Sequence, residues 1–425
     1  MPINHLTVSN FKGIGTAVGF DIRPITVFLG ANSSGKSSCL HALVSLAQTL
    51  KLGNAAPSLV LDDDFAHVHL GRFVEIAHSH SYGAPITIGI DVGERHITVP
   101  ALAKSEQNLK GIVTGTYTFR STRRTQEVFI DSARLAVGKR GYTVNRAKKK
   151  PYGFSAVDEN GNRTFEASRS ANFLFQLIPN VRKISKENTY KWFEAYTVFD
   201  AVQREIETTL RAVRYLGPFR QSPLRRYPFR GATASEVGAQ GEATITLLAG
   251  EHVQSNDRKH IRKINHWLNQ MGLAKSVDLS RVGTSDLFDV SLKLKDGASL
   301  PIADLGYGLS QILPVLAQCS FAPAGSTLLF EQPELHLHEG AARKLAKVFH
   351  ETIIENDTRV ILETHSKELV YELLQLVKNQ ALAIEDLAIY MVDRQNGAST
   401  YHRVQMSLDN GHLEVDDLWV RKLTD

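Results

Sequence analysis

The chain has 425 residues, of which 43% are hydrophobic and 22% are charged, so it is long enough for two or three packed units of an ordinary globular protein. No run approaches the roughly 20 apolar residues of a transmembrane helix, and the N-terminus lacks a signal pattern, so we expect a cytoplasmic protein with no membrane partner. The two cysteines, Cys39 and Cys319, exclude a disulfide framework, and neither has the spacing of a metal ligand.

The charge is distributed unevenly along the chain. Residues 104–230 contain 25 Lys and Arg against 11 Asp and Glu, a formal charge of +14, whereas the whole chain carries +5. A basic block of this kind is typical of a nucleic-acid surface or of a docking face for an acidic partner. A solvated face without a binding role has the same composition, and the sequence leaves both alternatives open.

The first stretch with a chemical pattern is a predicted strand, loop and helix. Residues 25–29 are apolar and β-branched, which predicts a buried strand, and residues 39–50 repeat apolar side chains at helical spacing. Between them, GANSSGKSS satisfies the phosphate-loop (P-loop) pattern, in which backbone N–H groups and a helix N-terminus form an anion site. We predict nucleotide contacts from Asn32, Ser33, Ser34, Gly35, Lys36, Ser37 and Ser38.

Two residues of this loop have more specific predicted roles. The ammonium group of Lys36 is placed to lie between the β- and γ-phosphates of ATP. The hydroxyl group of Ser37 can hold Mg²⁺, which prefers a few protein oxygens together with phosphate oxygens. The loop therefore predicts ATP and Mg²⁺ as cofactors.

The chain is predicted to form three regions. Residues 1–103 combine the P-loop helix with antiparallel strands, two of them predicted at residues 86–90 and 96–99, and form the first part of the nucleotide-binding domain. Residues 104–210 have weaker periodicity, with a helix predicted over 188–210 and a loop at Lys148–Lys150, and we interpret them as a basic insertion of unknown role. Residues 211–425 are predicted to be the second part of the nucleotide-binding domain, with the signature, Walker B and His-switch motifs. They include a helix predicted over 260–271 and strands predicted over 276–282 and 288–294.

Several arginines follow the predicted insertion. Arginine suits bidentate phosphate contact and aromatic stacking, so one of Arg214, Arg220 or Arg226 is a candidate for touching a nucleotide or DNA. For any one of them, a solvated or carboxylate-paired arginine is the slightly favoured alternative.

A second Gly-bearing loop opens an apolar helix. The sequence DLGYGLSQ at residues 304–311 precedes a helix predicted over 309–319, and a helix N-terminus of this kind is a second anion site. We predict phosphate contacts from Gly306, Gly308 and Ser310. A helix start shaped only by packing is the alternative.

Carboxylates follow the apolar strand predicted at residues 326–330. Glu331 is placed to orient Mg²⁺, directly or through water, because ligand chemistry lies at the carboxyl ends of such strands. Gln332 occupies the position that ordinarily orients attacking water, and a neutral amide cannot take a proton from that water. Glu334 is the nearby carboxylate that could substitute as a base, with a capping or hinge carboxylate as an equal alternative.

A second buried strand, predicted over residues 359–364, also ends in polar residues. His365 is placed to hydrogen-bond the γ-phosphate or the attacking water, and Ser366 is a good N-cap for the next helix. We therefore predict Gln332, Glu334 and His365 as the catalytic group. His336 and His338 lack a third ligand in the sequence, so they favour a structural turn over a zinc site.

These motifs in this order resemble the ATP-binding-cassette (ABC) type ATPases of the SMC and RecF kind, and among them the ATPase part of the OLD (overcoming lysogenization defect) nucleases. Stand-alone bacterial AAA-labelled ATPases with OLD-like sequence are the most similar. They share a Tyr-Leu-Gly-Pro loop, a Gly-Tyr-Gly-Leu-Ser-Gln signature, an EQPELHLH strand end and an ETHS switch, here at 215–218, 306–311, 331–338 and 363–366. The resemblance leaves residues 105–205 unassigned.

The resemblance implies an α/β fold: an ABC-type P-loop ATPase head with a mixed sheet, helices, an antiparallel β subdomain and the inserted basic α+β region. It also implies a head-to-tail homodimer, or a higher homo-oligomer, with ATP and Mg²⁺ held between residues 30–38 of one chain and 306–310 of the other. Gly306 stands where transporter signatures carry Ser, and Glu339 where relatives carry Pro. Hydrolysis is expected to be slow because of Gln332.

The function implied is a nucleotide-dependent switch in anti-phage defence that controls a separate effector, similar to the ATPase subunits of Septu- or PARIS-like systems. Only 60 residues follow His365, too few for the TOPRIM domain of an OLD nuclease, so we expect any nuclease or toxin in a partner chain. The alternative is a RecF- or SMC-like ATPase of DNA repair or maintenance that binds nucleic acid through residues 104–230. A third hypothesis is that the protein is a nucleotide-gated scaffold that hardly hydrolyses ATP.

Overall fold

The computed structural model describes residues 2–52, 57–81, 83–100, 106–147, 153–178, 186–232, 234–409 and 412–416, so the predicted loop at Lys148–Lys150 lies outside the described residues. The chain divides into two compact units, each assembled from three segments. The first unit takes its residues from 1–22, 33–213 and 393–400, and the second from 23–32, 214–392 and 401–425.

The strands, in chain order, are β1 (His5–Ser9), β2 (Val18–Asp21), β3 (Ile25–Gly30), β4 (Ile86–Pro100), β5 (Glu106–Ser121), β6 (Val128–Val137), β7 (Arg140–Arg146), β8 (Phe154–Asp158), β9 (Arg163–Ala171), β10 (Leu174–Ile178), β11 (Val213–Leu216), β12 (Arg226–Pro228), β13 (Ser276–Arg281), β14 (Leu287–Lys293), β15 (Ser299–Pro301), β16 (Thr327–Glu331), β17 (Arg359–Thr364), β18 (Leu387–Gln395), β19 (Ala398–Arg403), β20 (Met406–Asp409) and β21 (His412–Val415). The helices are α1 (Lys36–Lys51), α2 (Phe73–Ile76), α3 (Lys186–Arg211), α4 (Thr244–Gln254), α5 (Lys259–Gln270), α6 (Tyr307–Phe321), α7 (Glu339–Asn356) and α8 (Lys367–Lys378).

The first unit is built on a nine-stranded antiparallel sheet in the order β10-β9-β8-β7-β6-β5-β4-β1-β2. Strand β1 alternates half-buried and buried side chains, as expected when one face of a sheet packs on a core. The two strands predicted at residues 86–90 and 96–99 are the single strand β4. A register shift between Asp91 and Glu94 interrupts it, and Gly93 supplies the left-handed φ of 82° at that irregularity.

Helix α3 confirms the helix predicted over residues 188–210 and packs on β4, β5, β6, β10 and α1. Its apolar residues recur at helical spacing, and those described as buried are Ala195, Val198, Phe199, Val202, Ile206 and Leu210. The predicted boundary at residue 103 falls between β4 and β5, which pair along most of their length. The three-region division stays a prediction.

The second unit contains a six-stranded sheet in the order β11-β16-β17-β3-β18-β19. Strands β16, β17, β3 and β18 run parallel, and β16 and β3 are apolar and buried along nearly their whole length, as in a sheet covered on both faces. Apolar residues of these strands and of α4 to α8 form one continuous core. The carboxyl ends of the four parallel strands therefore lie along a single edge.

A smaller sheet in the second unit joins β12, β14, β13 and β15, all antiparallel to their neighbours. Helix α5 and the β13–β14 pair confirm the helix and strands predicted over residues 260–294. The parallel sheet with its helices and the antiparallel sheets confirm the predicted mixed α/β fold class. None of the helices formed by described residues is both long and apolar enough to cross a membrane.

Candidate nucleotide-binding site

Several predicted site residues lie at the carboxyl edge of the parallel sheet, at the ends of neighbouring strands. Glu331 at the end of β16 pairs with Glu363 of β17, and Thr364 pairs with Leu29 of β3. On the other side of β3, Val392 of β18 pairs with Gly30, where the P-loop begins. The predicted site is therefore at the position where a parallel sheet places its ligands.

The P-loop has the backbone that a phosphate cradle needs. It leaves β3 after Gly30 and enters α1 at Lys36, and two of its residues have left-handed φ, Ser33 at 61° and Gly35 at 106°. Lys36 is buried, and the hydroxyl oxygen of Ser34 is buried without a hydrogen-bond partner among the described residues. A helix N-terminus preceded by such a turn fits a polyphosphate, so the loop fits ATP.

The remaining loop residues line the same turn. Asn32 and Ser33 are exposed, Ser37 is half-buried in the first turn of α1, and Ser38 is buried. The nucleotide contacts predicted for them stay predictions, as does the Mg²⁺ contact of Ser37.

A serine far along the chain holds the P-loop backbone. Ser399 donates from Oγ to the carbonyl oxygen of Ser34 at 2.7 Å, and its own N–H donates to the carbonyl oxygen of Gly13 at 2.7 Å. A Cβ atom at Gly13 would overlap Ser399 Oγ, so the close approach requires glycine. Sequence reasoning missed Ser399, because no motif surrounds it.

Glu331 is held by a tyrosine. Tyr215, in β11, donates its hydroxyl group to Glu331 Oε1 at 2.7 Å, and both side chains are buried. Burial, and then the charge of Glu331, raise the pKa of Tyr215 above its ordinary value, so the phenol stays protonated and remains a donor. The loop at residues 215–218 was identified as a motif from the sequence, but the hydrogen bond from Tyr215 to Glu331 was not predicted.

Arg220 holds the turn after β16. Its Nη2 donates to the carbonyl oxygens of Glu331, at 3.3 Å, and of Gln332, at 3.1 Å. The side chain is buried, which lowers its pKa to about 10, although the charge of Glu334 acts in the opposite direction. Gln332 has a left-handed φ of 45°, a conformation that costs about 1–3 kcal/mol in a non-glycine residue and needs support of this kind.

Glu334 joins this turn to the end of β17. Its Oε1 accepts from Thr364 Oγ1 at 2.6 Å and from the N–H of His365 at 3.1 Å. Its Oε2 is buried without a hydrogen-bond partner among the described residues. The contacts through Oε1 are those of a hinge carboxylate, which is the alternative that the sequence left open.

His365 and Ser366 follow directly on β17. His365 is half-buried, and its backbone is fixed by Glu334. Ser366 is confirmed as the N-cap of α8, since its Oγ accepts from the N–H of Leu369 at 3.1 Å. The structure thus brings Glu331, Gln332, Glu334 and His365 together, and their catalytic roles stay predictions.

The signature loop packs against the turn after β16. Gly306 is the N-cap of α6, and a Cβ atom there would have no atom within 4 Å. A Cβ atom at Gly308 would lie 2.6 Å from the carbonyl oxygen of His336, so the close contact requires glycine at that position. Ser310 is buried in the first turns of α6.

His336 has a left-handed φ of 67°, in a turn closed by the hydrogen bond from the N–H of Leu337 to the carbonyl oxygen of Glu334 at 2.9 Å. This geometry is that of a structural turn. Within the described ranges, no group of three or more His, Cys, Asp or Glu side chains could hold a metal ion.

Two of the three candidate arginines are paired with carboxylates. Arg214 lies 3.5 Å from Glu236, and Arg226 lies 3.4 Å from Asp289. The third, Arg220, lies at the end of β16 as described above.

A P-loop at the carboxyl edge of a parallel sheet defines the class of protein, a P-loop nucleotide-binding protein of mixed α/β fold. The AAA ATPase domain family matches residues 1–370, and the chain belongs to that family. No curated protein is similar to the sequence.

Solved structures of SMC heads are distantly similar to this chain. The SMC head domain from Thermotoga maritima has 10% identity and a TM-score of 0.42, with 95% of this chain and 100% of that chain covered. An SMC head bound to the C-terminal winged-helix domain of ScpA has 12% identity, a TM-score of 0.46 and coverage of 95% and 97%. An SMC head with an extended coiled coil, bound to the C-terminal domain of ScpA from Pyrococcus furiosus, has 12% identity, a TM-score of 0.45 and coverage of 95% and 96%.

Proposed function

We propose that this ATPase is a dimerising switch, in which ATP binding closes a head-to-tail homodimer and slow hydrolysis opens it. Asn32 to Ser38 hold the triphosphate, and Gly306, Gly308 and Ser310 of a second copy complete the site. Ser37 and Glu331 hold Mg²⁺, which neutralises the developing charge on the phosphates.

The observation that carries this proposal is the set of contacts around Gln332. A neutral amide stands at the position of the usual carboxylate, and the main chain that carries it is fixed: the Gln332 carbonyl oxygen accepts from Arg220, and the Gln332 N–H donates to the Glu363 carbonyl oxygen of β17. Such an amide orients water without accepting its proton, so hydrolysis of ATP is slow. ATP therefore stays bound for longer than it would with a carboxylate at this position. Glu334 is the carboxylate proposed to act as the slow base, and it contacts the backbone of His365.

Molecular mass tests the switch. Light scattering with and without ATP and Mg²⁺ should show a dimer only with nucleotide, and Lys36→Ala should remain monomeric. Gly306→Trp is the second variant, because nothing lies within 4 Å of a Cβ atom there and a bulky side chain would block only a second copy. A wild-type chain that binds ATP and stays monomeric would contradict the proposed ATP-dependent dimerisation.

We further propose that the switch controls a separate effector, a nuclease or toxin, in anti-phage defence. The support is the resemblance of residues 215–218, 306–311, 331–338 and 363–366 to OLD-like stand-alone ATPases. Purification of a tagged chain expressed from its native operon should bring down a neighbouring gene product whose activity changes with ATP. A chain that purifies alone and leaves its neighbours' activities unchanged contradicts the defence role.

A second candidate is a RecF- or SMC-like ATPase of DNA repair or maintenance. The +14 charge of residues 104–230 favours it, because phosphate contacts require such a surface. Duplex DNA binding should then require ATP and weaken steeply with salt. Absence of ATP-dependent DNA affinity at low salt eliminates this candidate and leaves the first one intact.

A further inference from the structure

A cavity of about 350 Å³ opens in the first unit, where β6, β7, β8 and β9 lie side by side. None of its lining residues belongs to the P-loop, the signature loop or the strand ends of the parallel sheet. Its polar lining consists of Ser58, Glu127, Arg146, Ser168 and Arg169, and its apolar lining consists of Phe129, Ile130 and Phe154. The volume is in the range of small-molecule sites, about 300–1,000 Å³.

The cavity has the donors of an anion site. Arg169 donates from Nη1 to Ser58 Oγ at 2.7 Å, which fixes the guanidinium group at the cavity wall. Within the described part of the chain, Arg169 has no ion pair with a carboxylate. Arg146 contributes a second guanidinium group, and two such groups beside hydroxyls suit a phosphate monoester.

The cavity also has the surfaces of a site for a planar ring. The Arg146 guanidinium carbon lies over the Phe129 ring, 3.9 Å from its centre, and this cation–π contact forms part of the wall. Phe154 pairs with Arg146 across β7 and β8, and Phe175 holds its ring edge-on at 4.9 Å. Planar rings stack on guanidinium and phenyl faces, and nucleobases do so irrespective of sequence.

One acidic residue stands among these groups. Glu127 is exposed, and it makes no ion pair within the described ranges. A carboxylate in an anion site repels phosphate, but it accepts hydrogen bonds from ring N–H groups. Its presence therefore favours a ligand with a phosphate at one end and N–H donors on a planar ring at the other.

We propose that this cavity binds a purine nucleoside monophosphate whose base carries N–H donors, as guanine does. Arg169 and Arg146 hold the phosphate, the Phe129 and Phe154 walls enclose the base, and Glu127 accepts from its N–H edge. A cavity of this size encloses one nucleotide rather than a duplex, so the ligand is a small molecule.

Titration calorimetry with GMP tests the site in a Lys36→Ala background, which removes binding at the P-loop. GMP should bind, and ribose 5-phosphate, which lacks a base, should bind at least tenfold more weakly. Arg169→Gln should weaken GMP binding at least tenfold, and Glu127→Gln should weaken GMP but not ribose 5-phosphate. Arg134→Gln is the matched control, an exposed arginine of the same sheet outside the cavity, and should leave binding unchanged.

Three calorimetric results would overturn the proposal. These are no heat of binding with GMP in millimolar excess, equal affinity for GMP and ribose 5-phosphate, or equal affinity in the Arg169→Gln and Arg134→Gln variants. Binding of a single-stranded oligonucleotide without binding of GMP would also overturn it, because the surface would then be a nucleic-acid track. Phe129→Leu keeps the wall apolar but removes an aromatic ring from it. GMP binding by this variant takes the place of the Arg169→Gln measurement if Arg169→Gln fails to fold.

Discussion

Ser399 Oγ lies 2.7 Å from the carbonyl oxygen of Ser34, so a residue near the end of the chain fixes the backbone of the P-loop near its beginning. Ser399→Ala removes a neutral hydrogen bond worth about 0.5–1.5 kcal/mol. We expect ATP affinity to fall about three- to tenfold, measured with a fluorescent ATP analogue. Ser407→Ala, on an exposed strand position, is the control and should bind ATP normally.

The neighbour of that serine offers a compensation test. Gly13→Ala introduces a methyl group where Ser399 Oγ stands, and should weaken ATP binding and lower the melting temperature. Adding Ser399→Gly removes the overlapping atom and should restore most of the melting temperature, though not the hydrogen bond to Ser34. A double variant no more stable than Gly13→Ala would show that the methyl group disturbs a different contact.

Removing the hydroxyl group of Tyr215 should affect the carboxylate at the end of β16. Tyr215→Phe leaves Glu331 buried with one donor fewer, and a hydrogen bond to a charged group is worth about 1.5–3 kcal/mol. We expect a lower free energy of unfolding in urea and an altered Mg²⁺ requirement for ATP binding. Tyr227→Phe, whose hydroxyl accepts only from an exposed loop, should change neither; an identical loss in both variants would contradict the assigned contact.

The turn after β16 predicts opposite effects of two substitutions on ATP turnover. Gln332→Glu supplies a general base and should raise kcat at least tenfold, because a positioned base contributes about 10²–10⁴. Glu334→Gln keeps the Oε1 acceptor for Thr364 and His365 but cannot take a proton, so turnover should be lost while the fold is kept. Thr364→Val removes one of those bonds and retains the carboxylate. If it is as inactive as Glu334→Gln, Glu334 only positions the turn.

Two glycines of the signature loop should respond differently to alanine. Gly308→Ala places a methyl group 2.6 Å from the His336 carbonyl oxygen, and overpacking of this kind costs about 1–3 kcal/mol. Gly306→Ala meets no atom and should leave the melting temperature unchanged. Calorimetric melting of both variants decides the point. Equal melting temperatures would show that the turn at His336 shifts to accommodate the methyl group without loss of stability.

The cysteines provide a test of burial. Cys39 and Cys319 are both buried, and burial raises the pKa of Cys39 well above its ordinary value and that of Cys319 to about 12. Above about pH 9 the unfolded chain loses thiol protons that the folded chain keeps, so the free energy of unfolding should fall as pH rises toward 12. Near pH 8 a thiol reagent should react only after urea unfolding, and rapid reaction of the native chain would contradict this burial.

The sequence predicted those parts of the molecule that local patterns encode. The P-loop strand and helix, α3, α5 and the strands that end at Glu331 and Thr364 each have a periodicity or motif of their own. Contacts between distant segments have no such pattern, as for Tyr215 with Glu331 and Ser399 with Ser34. Strand β4 was predicted as two pieces, because the irregularity at Gly93 breaks the alternation without ending the strand.

The pairing of β3 has a consequence during synthesis of the chain. This strand has β17 and β18 as its neighbours, through Val360 and Leu387 beside Ile25, and both are translated long after it. The apolar segment Ile25–Gly30 therefore emerges from the ribosome before the strands that it pairs with have been synthesised. Such a segment is exposed to aggregation and slow to pair, so we expect the nascent protein to depend on chaperones until translation has passed β18.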